Sequence, residues 1–350
     1  MDKKKIFENI LNVTKIVAPA VVTQQVYEKM FNHHFLTFKP FYFDVSDFPE
    51  LERERHVFHS DNKLKLVGYI YKYKNVQPKG IFVFAHGYGG GGHHCYLDLI
   101  NVICKLGYIV FAYDATANDE SEGHTIKGFT QGLLDVDKAI SYVENLKEYQ
   151  HLPLYLCGHS WGAYSVSAVV SWHKKVKGVI AMSGFDHATA PFKHNGERYA
   201  GDKANDFMLY VDTYERLLFG DVCKTSALES FENTNAKICI IHSEDDTTIP
   251  IEAGFDLYYS KFKGDKRFKF IRLLTHGHGT VYYTLQGKRY FDKVHKEYDK
   301  FVKKDKPNEE EKINYLNKTI DRDKYNHMVD EKLIKNAIDF ITKKRSYDNS

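Results

Sequence analysis

From residue 81 onward the chain alternates short, continuously apolar runs with longer stretches in which apolar residues recur at helical spacing. The runs cover 81–85, 108–113, 154–157, 176–182, 237–241 and 268–274. Short apolar runs separated by helical segments read as strands buried on both faces of a parallel sheet. Helical periodicity fills 94–106 and 129–149, and a third helix is expected over 163–172 after a glycine-bounded turn. This order predicts right-handed β–α–β crossovers. Upstream, 53–58 and 64–73 read as two strands joined by the turn-forming Ser60-Asp61-Asn62-Lys63. Ile6, Phe7, Ile10, Val13, Val17 and Val21 fall near helical spacing and predict an amphipathic first helix, packed on the domain or set against a membrane surface.

Two segments break the rhythm. Residues 185–234 separate successive strands by more than an ordinary loop, and Phe185, Phe192, Tyr199, Phe207, Tyr210, Tyr214 and Phe219 give them the material of a folded helical lid. Beyond Gln286 the chain is rich in lysine and glutamate, as in Glu309-Glu310-Glu311-Lys312, and closes with Leu333, Ile334, Ala337, Ile338 and Ile341 at helical spacing. The expected organisation is an N-terminal helical extension over 1–52, a core of 53–184 with 235–285, a lid over 185–234, and a helical segment over 286–350 that completes the core.

Charge and cysteines narrow the setting. With 49 basic against 46 acidic side chains among 350 residues, the chain has no field to draw in nucleic acid. Five cysteines, odd in number and without a Cys-x-x-Cys pair, argue against a disulfide framework or a zinc site and for a reducing cytoplasm. Met1-Asp2-Lys3-Lys4-Lys5 starts like an export signal, but Asn9, Asn12, Thr14 and Lys15 break the apolar stretch that follows. No run reaches the ~18 apolar residues of a membrane span.

The chemistry centres on Gly158-His159-Ser160-Trp161-Gly162, a G-x-S-x-G element directly after an apolar run and before a helical stretch. A sharp strand-to-helix turn there would project Ser160 from the carboxyl edge of the sheet. Serine is a poor nucleophile at neutral pH, so a histidine base and an orienting carboxylate are required. After the run at 237–241 come Glu244, Asp245 and Asp246, followed by Pro250. After the run at 268–274 come His276 and His278. The Trp161 amide, next after the serine, is the first expected oxyanion donor.

On these residues the chain resembles the α/β-hydrolase family over roughly 65–285, in particular its lipase-like and serine-aminopeptidase-like members. The resemblance implies a mostly parallel central sheet flanked by helices, with a lid inserted after the sixth strand. It favours Asp246, four positions before its proline, over Asp245 and Glu244, and it favours His278, in a glycine-histidine element, over His276. It matches Ala85-His86-Gly87-Tyr88 to the family's His-Gly element and so points to the Tyr88 amide as the second oxyanion donor. His86, Gly87 and His159 are expected to contact substrate. The glycine run after Tyr88 is not a phosphate loop, because no Gly-Lys-Ser/Thr follows.

The expected reaction is hydrolysis of a small or lipid-like carboxylic ester through an acyl-enzyme, without metal or organic cofactor. Similarity to monoacylglycerol lipases and lysophospholipases supports the ester. One alternative is aminopeptidase-like action on short peptides, with Asp186, Glu197 or Asp206 holding the substrate ammonium. Another is a non-catalytic scaffold that binds a partner.

Overall fold

The computed structural model describes residues 20–194 and 203–343, with only the backbone of 203–207. The helix expected over 6–21 therefore lies outside the described residues except at its end, and a helix, α1, occupies 20–31. A hairpin follows, β1 (Leu51–His59) and β2 (Lys65–Tyr73), antiparallel in register from Leu51 opposite Tyr73 to His59 opposite Lys65. Next come β3 (Ile81–Ala85), α2 (Leu97–Lys105), β4 (Ile109–Tyr113), α3 (Gln131–Asn145), β5 (Leu154–His159), α4 (Trp161–Val169) and β6 (Val176–Met182). The segment before the next strand holds α5 (190–194), α6 (Lys203–Phe219) and α7 (Ala227–Glu232). Then β7 (Lys237–Ser243), α8 (Phe255–Phe262) and β8 (Phe268–Leu273) complete the sheet. Helices α9 (Leu285–Asp305), α10 (Glu309–Thr319), α11 (Arg322–Asn326) and α12 (Glu331–Thr342) end the described chain.

The eight strands lie in the order β1-β2-β4-β3-β5-β6-β7-β8, and all pairings from β4 to β8 are parallel. Every residue of β3, β4 and β5 is buried, which is why these runs show no alternation. From β3 the chain moves one way to β4, then returns to the other side for β5. That reversal opens a crevice at the carboxyl ends of β3 and β5, where open α/β sheets bind ligands.

One face of the sheet is covered by α1, α3, α4, α7 and α8, with Phe111, Trp161, Tyr164 and Phe231 among the side chains between. The other is covered by α2, α9 and α12, around Phe82, Phe84, Leu99 and Ile338. Helix α12 packs on β6 and β7. There a Cβ on Gly178 would stand 2.7 Å from the Ile341 side chain, so a glycine lets the helix sit this close. In α1 Tyr27 and Phe31 are buried against Phe129, Phe192 and Tyr214. The packed face of α1 is that of Tyr27 and Phe31, whereas Val21, the one described residue of the apolar face expected over 6–21, is 45% exposed. Within 185–234, α7 packs on α4, and Phe231 meets Tyr258, Phe262 and Phe268 of the core.

Candidate active site

Strand β5 ends at His159 and α4 begins at Trp161, leaving Ser160 as the single residue of the turn. Its φ of 55° and ψ of −117° lie outside the regions open to most residues, a conformation that costs about 1–3 kcal/mol. Neighbouring bonds hold it there. Its amide donates to the Met182 carbonyl at 2.8 Å, and its carbonyl accepts from the Tyr164 amide at 3.0 Å. The flanking glycines are obligatory: a Cβ on Gly162 would lie 2.0 Å from the Ala85 carbonyl oxygen, and one on Gly158 would lie 2.4 Å from that of Gly162.

The turn aims Ser160 Oγ at His278 Nε2, 2.8 Å away, while His278 Nδ1 lies 2.7 Å from Asp246 Oδ2. The other Asp246 oxygen accepts the amides of Thr248 and Ile249, both at 2.9 Å. Burial opposes ionisation of this carboxyl, but hydrogen bonds from His242 and His278 and the backbone donors outweigh it and hold Asp246 well below the usual carboxylate range. An ionised Asp246 accepts Nδ1–H, which fixes the tautomer whose Nε2 is free to take a proton from the serine.

The competing residues have other places. Asp245 Oδ1 accepts the Gly277 amide at 2.7 Å and the Ser243 hydroxyl at 2.6 Å, and Ser243 Oγ in turn accepts the His276 amide at 2.8 Å. The two groups brace the loop that carries His278. Glu244 sits at the surface in an ion pair with Arg272 at 3.2 Å. His242 Nε2 donates to the Ile249 carbonyl at 3.0 Å and lies 3.3 Å from Asp246 Oδ2, steadying the acid's loop. Asp245 thus caps the loop, the other role open to a carboxylate there, whereas the sequence carried no signal for Ser243 or His242.

Trp161 opens α4, so its amide is among those at the helix start that no intrahelical carbonyl can satisfy. Its indole donates to the Phe129 carbonyl at 2.7 Å. The Tyr88 ring packs against Phe31, Phe35 and Phe129, and its hydroxyl donates to the Met30 carbonyl, so α1 helps to hold the loop after β3. Phe129 also touches Trp161, Phe185 and Phe192, which places an apolar wall beside the serine turn.

His86 and His159 differ from the expected substrate contacts. His86 is buried with both ring nitrogens in use, Nδ1 to the Gly87 carbonyl at 2.7 Å and Nε2 accepting the Ala115 amide at 3.0 Å. It buttresses the loop after β3 from beneath. His159 is buried between the Tyr96 hydroxyl and the His278 backbone. A residue adjoining Ser160 in sequence need not point the same way, because successive side chains leave a strand on opposite sides. Gly87 does lie beside the serine: a Cβ there would be 3.5 Å from that of Ser160.

Among the described residues, His93, His94 and Asp114 place metal-binding atoms within 4.8 Å of one another. His93 Nδ1 and Asp114 Oδ1 are 2.6 Å apart, whereas two ligands about 2.1 Å from one tetrahedral ion stand roughly 3.4 Å apart. His93 Nε2 bonds the Tyr71 hydroxyl at 2.7 Å, so the group is a hydrogen-bonded pair with its outer nitrogen taken.

Comparison with known proteins bears on this geometry. An esterase of Pyrococcus furiosus superposes with a TM-score of 0.57 at 17% identity, over 78% of this chain and 97% of the esterase. The chain has the α/β-hydrolase fold. The acylaminoacyl peptidase of Pyrococcus horikoshii gives a TM-score of 0.52 at 20% identity, over 74% of this chain and 42% of the peptidase. The serine aminopeptidase S33 family matches residues 76–200, which include β3, the serine turn and α4. The monoglyceride lipase of Rattus norvegicus is 31% identical over 111 residues, 30% of this chain, and that of Mus musculus matches to the same extent. The chain spans about a third of the length of these lipases, 35%. Among the described residues no helix is long and apolar enough to cross a membrane.

Proposed function

We propose that this α/β hydrolase cleaves carboxylic esters through an acyl-enzyme, with Ser160 as nucleophile, His278 as general base and acid, and Asp246 as the group that orients and charge-balances the histidine. The observation that carries this is the unbroken line from Asp246 Oδ2 through His278 to Ser160 Oγ, with contacts of 2.7 and 2.8 Å at a strained strand-to-helix turn. His278 takes the hydroxyl proton as Ser160 attacks the carbonyl, and the amides of Trp161 and Tyr88 hold the oxyanion, each worth about 3 kcal/mol in such sites. His278 then protonates the departing alcohol, and water repeats the attack.

The wall of Phe129, Phe185, Phe192 and Tyr88 favours an apolar acyl group, in keeping with the likeness to monoglyceride lipases. In this reading the described parts of 185–226 cap the site, and α7 belongs to the core it packs against. Peptide hydrolysis is disfavoured at Asp186, whose carboxylate already accepts the Ser226 hydroxyl and the Leu228 amide at the start of α7. The two other acids weighed for that role, Glu197 and the Asp206 side chain, lie outside the described residues. Cys95, Cys104, Cys157, Cys223 and Cys239 are unpaired, which suits the cytoplasm.

A fluorophosphonate followed by intact-mass measurement tests the proposal. One adduct per chain, absent from Ser160→Ala, is expected, together with turnover of medium-chain monoacyl esters and little of aminoacyl amides. A folded protein that takes no label and turns over no ester is a binding scaffold instead.

A further inference from the structure

Two side chains that do not touch Ser160 join the two halves of the site. The Tyr96 hydroxyl lies 3.0 Å from the Gly87 amide nitrogen and 2.9 Å from His159 Nδ1. At the far edge of the same imidazole, Nε2 lies 3.0 Å from the His278 carbonyl oxygen. The ends fix the direction of the chain, because a carbonyl only accepts and an amide only donates. His159 Nε2–H donates to His278, leaving Nδ1 as an acceptor. Tyr96 gives Nδ1 its one proton, and the tyrosine oxygen accepts the Gly87 amide. The other neutral tautomer would set a lone pair against the His278 carbonyl.

The surroundings keep this arrangement in one state. Tyr96 and His159 are both buried, and burial, followed by the charge on His278, pushes the His159 imidazole down to about 3. The His159 and His278 rings lie with centroids 4.9 Å apart, yet the buried ring stays neutral while its neighbour exchanges protons. Gly87 is where the chain approaches most closely, since a Cβ there would stand 2.7 Å from the Tyr96 hydroxyl.

We infer that Tyr96 and His159 are positioning residues, tying the loop that carries the oxyanion donor to the backbone of the catalytic base so that the two are held in fixed relation. The inference rests on the serine-hydrolase reading above. The oxyanion donor and the base arrive from loops after β3 and β8, about 190 residues apart in sequence, and nothing in the sheet alone sets their separation. Misplacement of a reacting group by 1 Å can cost on the order of 100-fold in rate, so a link across this gap acts on turnover more than on substrate affinity.

The test has two arms. In the protein with 15N-labelled histidine, the His159 ring is expected as the neutral Nε2–H tautomer from pH 5 to 8, with a slowly exchanging ring proton. An Nδ1–H tautomer or a charged ring in that range overturns the chain of bonds. In kinetics, Tyr96→Phe and His159→Leu should each lower kcat by roughly 10-fold with KM nearly unchanged. The double variant should be no slower than the worse single, because one chain can be broken only once. His159→Gln, which keeps a donor near the place of Nε2, should recover part of the rate. Folded variants within twofold of the parent kcat, or a double variant showing the product of the single losses, overturn the inference while leaving the hydrolase reading intact. A parent protein that takes no fluorophosphonate and hydrolyses no ester sinks that reading itself, and the positioning role with it.

Discussion

Among the described residues, two histidine–aspartate pairs joined through Nδ1 at under 3 Å have nearly the same geometry, and only one of them faces a serine hydroxyl. His278 Nδ1 stands 2.7 Å from Asp246, and His93 Nδ1 stands 2.6 Å from Asp114. Both carboxyls lie below the usual range for the same reason: burial opposes ionisation, and histidine and backbone donors outweigh it. The pairs part at the outer nitrogen. His278 Nε2 faces a serine hydroxyl on a strained turn, with part of its ring open to solvent, whereas His93 Nε2 faces the Tyr71 phenol inside the core. Asp114 also accepts the amides of His93 and Glu120, so its pair pins the glycine-rich loop to the end of β4. An aspartate that sets a histidine's tautomer is a structural device, and it becomes catalytic only where the second nitrogen is offered a reactive partner and a path for substrate.

Replacing each aspartate by asparagine should separate the two roles. Asp246→Asn removes the acceptor that selects the useful tautomer and should lower kcat by roughly 10³–10⁴-fold, as loss of the acid does in other triads. Its melting temperature, read by calorimetry at neutral pH, should fall as well, because a buried hydrogen-bonded carboxylate has been lost. Asp114→Asn should reverse the balance. Removing a buried carboxylate that accepts from the His93 ring and from two amides costs about 3 kcal/mol, so melting should drop by several degrees while the rate per fluorophosphonate-titrated site stays within a few-fold of the parent. Equal kinetic damage from both substitutions would erase the distinction and give the core pair a part in catalysis.

The contrast also explains what could be read before the structure. Ser160 was legible because its constraint is local: two glycines and a strand-to-helix change fall within five residues. The central strands were legible because burial on both faces leaves an unbroken apolar run, and β3 and β6 occupy the expected ranges. The expected acid and base were reached only through the resemblance, which points to the loops after the seventh and eighth strands and there to Asp246 among three carboxylates and His278 among two histidines. Tyr96 and the His93–Asp114 pair were not legible, because their meaning lies in contacts 63 and 21 residues away in sequence. The same limit led to His86 and His159 being expected at the substrate. Motif adjacency gives a residue's place along the chain but not the side on which its ring leaves the backbone.

A third buried carboxyl, with no histidine beside it, sharpens the comparison at smaller magnitude. Glu215 of α6 is fully buried, and its oxygens accept the Thr130 hydroxyl at 2.8 Å and the Tyr27 hydroxyl at 3.3 Å. Burial dominates here, neutral hydroxyls only partly offset it, and the carboxyl is pushed up to about 7, the opposite direction from Asp246 and Asp114. Between about pH 4.5 and 7 the folded chain therefore keeps a proton that the unfolded chain has released, so the contribution of Glu215 to stability falls as pH rises through that window. Glu215→Gln has no such dependence. Its amide supplies the neutral form permanently, and either hydroxyl can rotate to accept from it. The variant should melt close to the parent near pH 4.5 and be more stable at pH 8, by about 3 kcal/mol. Asp98 and Asp135, also raised by burial, are common to both proteins and cancel in the difference. A gap between the melting curves that is constant from pH 4.5 to 8 would mean that Glu215 is already ionised in the fold. Partner chemistry would then not be what separates it from the two histidine-bound aspartates.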